Sequence, residues 1–369
     1  MLLLKTNDYL EWARAAETLI LEQPDIYNLY SSAVSEPTAI LHAALQRAYP
    51  QPLLARSDAP ISWGHPLLRQ AIAREYNVPD EEQVLMTSGC SMAYILVCRA
   101  LLQSGDHAVV EVPTYQPFIR VLDTMTVPYT LLPRRAPTYG VDVDELETLI
   151  TPRTRLIVLS HVHNPSGAAL DGTTLDGLAR LAHKYDVYVL VDQVFGDFVA
   201  KAPIANHDER FITIASLSKV YGLSLLRTGW IIAAPAAMAR LRPIHILYDN
   251  SASRITQAMT TLVFDDYERY RQRALDIVNR NRALVQNFAA EFSDKLIGAV
   301  PAYGCTFFPQ LTDVGDVPAF VERLAQRQHV VVVPGDFFGM SQHIRIGFGG
   351  DSRRLQTGLE RLADALRNP

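Results

Sequence analysis

Residues 216–227 read Ser216-Leu217-Ser218-Lys219-Val220-Tyr221-Gly222-Leu223-Ser224-Leu225-Leu226-Arg227. A hydroxyl stands three residues before a lysine, and a guanidinium stands eight after it. Arg grips phosphate bidentately, and a Ser hydroxyl adds a further hydrogen bond. A lysine amine near such an anchor, with positive charge and burial around it, suits Schiff-base chemistry on a phosphorylated carbonyl compound. A short motif like this also arises by chance, as an exposed Lys in a Ser-rich loop.

Other segments, arriving in a consistent order, point the same way. Asp192 ends the apolar run Val187-Tyr188-Val189-Leu190-Val191. A carboxylate there can pair with a protonated pyridine nitrogen and keep the ring an electron sink, which is what pyridoxal phosphate needs. Asn164, in HVHNPSG, follows the apolar run RLIVLS. Its amide can donate to the ring's phenolic oxygen. Ser88-Gly89-Cys90-Ser91 precedes the helical pattern MAYILVCRALL. A small-residue turn opening a helix offers free N–H groups to phosphate. Tyr115, in EVPTYQPF, can stack on the pyridine face. Each has a structural alternative: a strand-end acid, a loop amide, a helix cap, a packed ring.

Together these residues resemble the fold-type I pyridoxal phosphate enzymes of the class I/II aminotransferase superfamily, from about Trp63 to the C-terminus. The resemblance implies Lys219 as the Schiff-base lysine, Asp192 at the pyridine nitrogen, Asn164 at the phenolic oxygen and Tyr115 stacked on the ring. Around the phosphate it implies Gly89, Cys90, Ser91, Ser216, Ser218 and Arg227. Arg345, in HIRIGFGG, matches the arginine that holds the substrate α-carboxylate. A homodimer is implied, with the partner completing the phosphate site.

The composition fits this class. A chain of 369 residues accommodates two domains. A net charge of −5 gives no basic footprint for nucleic acid. The longest basic run, Arg134-Arg135, reads as a solvated loop. Three cysteines, Cys90, Cys98 and Cys305, form neither a disulfide framework nor a metal-ligand spacing. No metal site is expected. The N-terminus lacks a signal-peptide core, and no apolar stretch reaches the roughly 20 residues that span a bilayer. A cytoplasmic enzyme with a small amino acid substrate is expected, with neither membrane nor nucleic-acid partner.

The pattern predicts an α/β fold. HAVVEV, RLIVLS, VYVLV and FITIAS are short, apolar and β-branched, as strands buried on both faces are. GTTLDGLARLAHKY between two of them reads as a crossover helix. A mostly parallel sheet flanked by helices follows, with reactive groups beyond the strands' carboxyl ends. We expect an N-terminal segment over 1–50 that covers the substrate and joins the small domain. A large cofactor-binding domain is expected over 51–265. A bridging helix from about 266 then leads into a smaller C-terminal α+β domain ending at 369.

The reaction is less legible. Cofactor motifs do not separate transamination from β- or γ-elimination. Asp192-Gln193-Val194-Phe195 departs from the usual transaminase pattern, in which a Tyr three residues after the Asp donates to the phenolic oxygen. Phe195 cannot donate, although family drift also accounts for it. His163, beside Asn164, could serve as a second acid/base; packing against the ring edge is its plainer reading. HNPSGAALD, GCTFFP and VVVPGDFFGMSQHIRIGF look similar to capreomycidine synthases, which eliminate a side-chain hydroxyl from a hydroxylated arginine and let the guanidine close a ring. DIYNLYSSAVSEPT is similar to that group's substrate-covering segment, but Ser35-Glu36 stands where the group carries a His. The resemblance implies an elimination–cyclisation (cyclodehydration) enzyme of specialised metabolite biosynthesis, of capreomycidine or enduracididine type. The alternative is an amino acid aminotransferase. A ligand-sensing regulator module is disfavoured, because no basic DNA-binding segment is present. A guanidinium substrate would want carboxylates, and Glu11, Asp25 and Glu36 are the candidates.

Overall fold

The structure is a computed structural model that describes residues 6–48, 63–200, 203–249 and 253–367. The expected boundary at 50/51 lies outside the described residues.

Seven strands form the central sheet: β1 (Val84–Thr87), β2 (His107–Val112), β3 (Tyr129–Pro133), β4 (Thr154–Ser160), β5 (Tyr188–Asp192), β6 (Phe211–Ser216) and β7 (Gly229–Ala233). Their order is β1-β7-β6-β5-β4-β2-β3. Pairing is parallel throughout, except that β7 runs antiparallel between β1 and β6. The four runs read as strands lie at β2, β4, β5 and β6. Their side chains are almost all buried, because helices cover both faces. The crossover helix occupies Gly172–Tyr185, capped by Asp171, whose carboxylate accepts from the Thr174 N–H.

Asp192 pairs in register with Ser160, so β4 and β5 end level. Ser216 ends β6 beside them. The sheet therefore delivers the Asn164 loop, Asp192 and Ser216 to one edge. This is the carboxyl edge, where open α/β sheets gather ligands.

A helix over Tyr267–Glu291 follows, as the long charged pattern predicts. Beyond it come short strands, among them Thr306–Phe307 and Val333–Pro334, which flank Ile344–Gly347 in antiparallel pairing. The N-terminal segment joins these elements. Tyr27–Asn28 pairs in parallel with Val330–Val331, and the Gly347 N–H donates to the Leu29 carbonyl. Gly347 is needed there, since a Cβ would lie 1.8 Å from the Ser31 carbonyl oxygen.

One expectation is corrected. Arg134 is not in a solvated loop but is fully buried. Its Nη1 lies 2.7 Å from Glu111 Oε2, and its Nε donates to the Tyr139 carbonyl at 2.6 Å. The Ser160 hydroxyl donates to the other Glu111 oxygen. Burial pushes the Glu111 carboxyl up even though Arg134 opposes the shift. Removing one member of such a pair leaves a buried charge uncompensated and typically costs about 3–5 kcal/mol. The ion pair fixes the ends of β2 and β4 just beneath the candidate site.

Candidate active site

A cavity of about 290 Å³ opens at the carboxyl edge of the sheet. Gly89, Cys90, Ser91, Ser216, Ser218 and Arg227 line one end of it. Gly89 adopts φ +92 immediately before the helix Cys90–Leu101. A Cβ at this glycine would come within 2.9 Å of Arg227 Nη2, so the guanidinium closes directly over the turn. Across from it the Ser216 and Ser218 hydroxyls lie 2.8 Å apart. Free helix N–H groups, two hydroxyls and a guanidinium make a phosphate cradle. Ser224 and Thr228 also line the cavity and were not singled out in the sequence.

Asp192 faces the cavity at the end of β5. Its Oδ1 accepts from the Val194 N–H at 2.9 Å and from Cys90 Sγ at 3.5 Å. Burial pushes this carboxyl up to about 6, against those two hydrogen bonds. Cys90 thus turns its thiol toward Asp192, and burial pushes the thiol well above its usual range. Among the described residues, no cation lies within ion-pair distance of Asp192. Such a carboxyl suits a protonated ring nitrogen.

Lys219 lines the cavity with Asn164, Tyr115 and Phe195. Tyr115 is held edge-on by Tyr9 and Phe118, with ring centroids 5.7 and 5.6 Å away. Phe195 is buried and stacks on Phe198 at 6.3 Å. Arg345 is fully buried on the strand Ile344–Gly347. It does not itself line the cavity but lies behind Asn164 and Tyr9, donating to both.

Four candidates fall elsewhere. His163 is buried, away from the cavity lining. Its Nε2 lies 2.8 Å from the Pro113 carbonyl and its Nδ1 2.6 Å from Ser166 Oγ, so both ring nitrogens are committed. Burial, helped by the nearby Arg134 charge, holds it well below the usual histidine range and therefore neutral. Glu11 is exposed and accepts from the Thr6 hydroxyl. Asp25 is also exposed, 2.6 Å from His329 Nδ1. Glu36 is exposed as well. None of these three carboxylates lines the cavity. Conversely, Tyr9 does line it, which the sequence reading missed, and so do Ser31 and Ser32, from the stretch compared with a substrate-covering segment but not named singly.

A lysine, a phosphate cradle and a buried acid at the carboxyl ends of a mixed seven-stranded sheet define the fold-type I pyridoxal phosphate enzymes. The chain belongs to the family described as aminotransferase class I and II, whose profile matches residues 29–362. It is 31% identical over 316 residues to a capreomycidine synthase from Streptomyces vinaceus, covering 84% of this chain and 80% of that one. It is also 31% identical over 321 residues to an arginine–pyruvate transaminase from Pseudomonas aeruginosa, covering 82% and 79%. A crystal structure of a pyridoxal-phosphate-dependent aminotransferase from Streptococcus suis superposes with a TM-score of 0.89 at 26% identity, covering 100% and 98%. Family membership implies pyridoxal phosphate as cofactor, and the donor set fits it: anion donors at one end, a carboxyl with a raised pKa at the other, an amine on the wall between. Among the described residues no helix is long and apolar enough to cross a membrane, and no cluster of side chains could hold a metal ion.

Proposed function

We propose that this chain is an aminotransferase that moves the amino group of an α-amino acid to a 2-oxo acid. Gly89, Cys90, Ser91, Ser216, Ser218 and Arg227 would hold the cofactor phosphate. Asp192 would hold the ring nitrogen, Asn164 the phenolic oxygen and Tyr115 the ring face. When bound, pyridoxal phosphate supplies the electron sink that weakens bonds at the substrate Cα. Arg345 orients the substrate carboxylate through the Asn164 side of the cavity. Lys219 Nζ would take the Cα proton of the amino donor and, in the second half-reaction, deliver a proton to the carbonyl carbon of the 2-oxo acid that becomes the new Cα.

The observation that carries this reading is the contrast between Lys219 and His163. Lys219 supplies the only amine among the described residues that line the cavity. His163, the residue that the sequence offered as a second base acting at Cβ, has both nitrogens committed outside it. One base suffices for proton transfer at Cα, whereas elimination of a γ-hydroxyl, which also removes a Cβ proton, favours a second. Against loss of a β-hydroxyl, which needs only the Cα proton removed, the reading rests on the aminotransferase relatives. The named aminotransferases among the relatives support the same reading.

A second reading, dehydration and ring closure of a hydroxylated arginine, is favoured by one specific feature. Phe195 presents no hydroxyl to the cavity, and the capreomycidine synthase is as similar as the transaminase. The arginine–pyruvate transaminase makes arginine the first amino acid to test. Arginine with pyruvate should yield alanine continuously. Dehydrated product from hydroxyarginine without any 2-oxo acid would replace the first reading by the second.

A homodimer belongs to the same proposal. Ile246 and Tyr248, each about half exposed, and Leu247, 75% exposed, end a helix next to Asp249, which holds the Ser88 N–H and hydroxyl at the phosphate turn. Covering such a patch removes apolar area from water at about 25 cal/mol per Å². Light scattering at twice the chain mass supports it, and a fully active monomer excludes it.

A further inference from the structure

Tyr9 occupies a position that the reading above does not use. It is the first residue of the helix Tyr9–Glu22, yet its ring is buried in the catalytic cavity. Two clamps put it there. Its own N–H donates to Gln116 Oε1 at 2.7 Å, and the preceding Asp8 lies 3.3 Å from Arg120. Both partners belong to the segment after Tyr115. On the other side the ring meets Phe337 edge-on at 5.7 Å.

Arg345 Nη2 donates to the Tyr9 hydroxyl at 3.3 Å. The guanidinium is otherwise held by Asn164 Oδ1 and the Tyr30 carbonyl, and no carboxylate pairs with it among the described residues. A buried cation without a counter-ion calls for an anion. Arg345 does not line the cavity, but the Tyr9 hydroxyl, polarised by it, does. A phenol that accepts from a guanidinium keeps its own O–H free to donate. Burial alone would raise this phenol, but the Arg345 and Lys219 charges outweigh it and pull it below the usual tyrosine value.

We propose that Tyr9 is a substrate-binding residue whose hydroxyl donates to the α-carboxylate and presents the charge of the buried Arg345 to it. The proposal deepens the reading above and rests on it only in taking an α-amino acid as substrate. The carboxylate is then held by a guanidinium–phenol pair. The pair assembles only when the N-terminal helix bridges the segment after Tyr115 and the C-terminal strand.

The test uses Tyr9→Phe, which keeps the ring contacts with Tyr115 and Phe337 and deletes one hydroxyl. Two amines are titrated into holoenzyme and followed by the change in cofactor absorbance. 2-Aminoisobutyrate carries the carboxylate but no Cα hydrogen, so it binds without proton transfer. tert-Butylamine carries a methyl group in place of the carboxylate and likewise has no Cα hydrogen. We expect Tyr9→Phe to weaken 2-aminoisobutyrate about tenfold, the usual effect of one hydrogen bond to a charged group. tert-Butylamine should stay within about twofold, since its contacts are unchanged. Equal weakening of both amines, or no change in either, overturns the proposal. Neither probe turns over, so the outcome does not depend on whether catalysis ends in transamination or in dehydration.

Discussion

Arg345 Nη1 donates to Asn164 Oδ1 across 3.0 Å, although 181 residues separate them in the chain. The same guanidinium reaches the Tyr30 carbonyl at 2.9 Å and the Tyr9 hydroxyl at 3.3 Å. One planar fork thus ties the N-terminal segment, the loop after β4 and the C-terminal strand together at the edge of the cavity. A lysine has the charge but not the fork.

Arg345→Lys should therefore disturb geometry more than charge. We expect KM for the amino acid to rise roughly 10- to 100-fold, as for lost hydrogen bonds involving a charged group. kcat should fall less than KM rises, because the change acts mainly on ground-state binding. Steady-state kinetics at saturating 2-oxo acid check this. An unchanged KM would remove Arg345 from the carboxylate site.

Asp192 makes a testable link between the site and stability. Burial raises its carboxyl to about 6, so the folded chain binds this proton more tightly than the unfolded chain does. Its contribution to stability is fully present below about pH 4 and is lost as pH rises through about 6. Two pKa units correspond to about 3 kcal/mol, but the carboxyl opens on the cavity and keeps some solvent, so about 1–2 kcal/mol is expected. Asp192→Asn should remove that slope. Without added cofactor, the variant should gain this amount over the native chain between pH 4 and 7. Parallel urea-unfolding profiles for the two proteins across that range would show that Asp192 is not strained.

The sequence-singled residues that the structure gathers at the cavity share one property: their places follow from local pattern. Asp192 ends an apolar run, Ser216 ends another, and Lys219 and Arg227 lie within the loop that follows. Sheet geometry then brings them together. Tyr9 had no such signal. Its partner lies 336 residues away, and its helix reads as an ordinary amphipathic one. Arg134 was misread because a basic pair resembles a solvated loop, whereas its Glu111 partner stands on β2, far from it in the sequence. The antiparallel direction of β7 was likewise hidden, since an apolar run does not encode its own polarity.

His163 illustrates the opposite case, a reactive residue type next to one that lines the cavity but itself turned away from it. With its two ring nitrogens at Pro113 and Ser166, its work is to shape the loop that carries Asn164. His163→Ala leaves a buried carbonyl and a hydroxyl without their partner, at a cost of about 2 kcal/mol in stability. Turnover and Cα–H exchange should then fall by the same factor. A larger loss in turnover than in exchange would restore His163 as a second base.

The reaction itself is separated by stoichiometry. Lys219→Ala should bring turnover down by about 10² to 10⁴-fold or more, the usual contribution of a positioned acid/base group. Borohydride reduction of the native holoenzyme should leave the pyridoxyl group on Lys219 and on no other lysine. With the native enzyme and arginine but no 2-oxo acid, a transaminase stops after one equivalent per site, with the cofactor left in its amino form. Pyruvate should then restart it and appear as alanine. A dehydrating cyclase needs no acceptor, continues to completion on a hydroxylated arginine and releases substrate minus one water. In D₂O its product would carry deuterium at Cα, with Lys219 as the exchanging base. Mass spectrometry of the acceptor-free mixture therefore decides the matter: one equivalent consumed supports Lys219 acting in transamination, and many equivalents of dehydrated product overturn it.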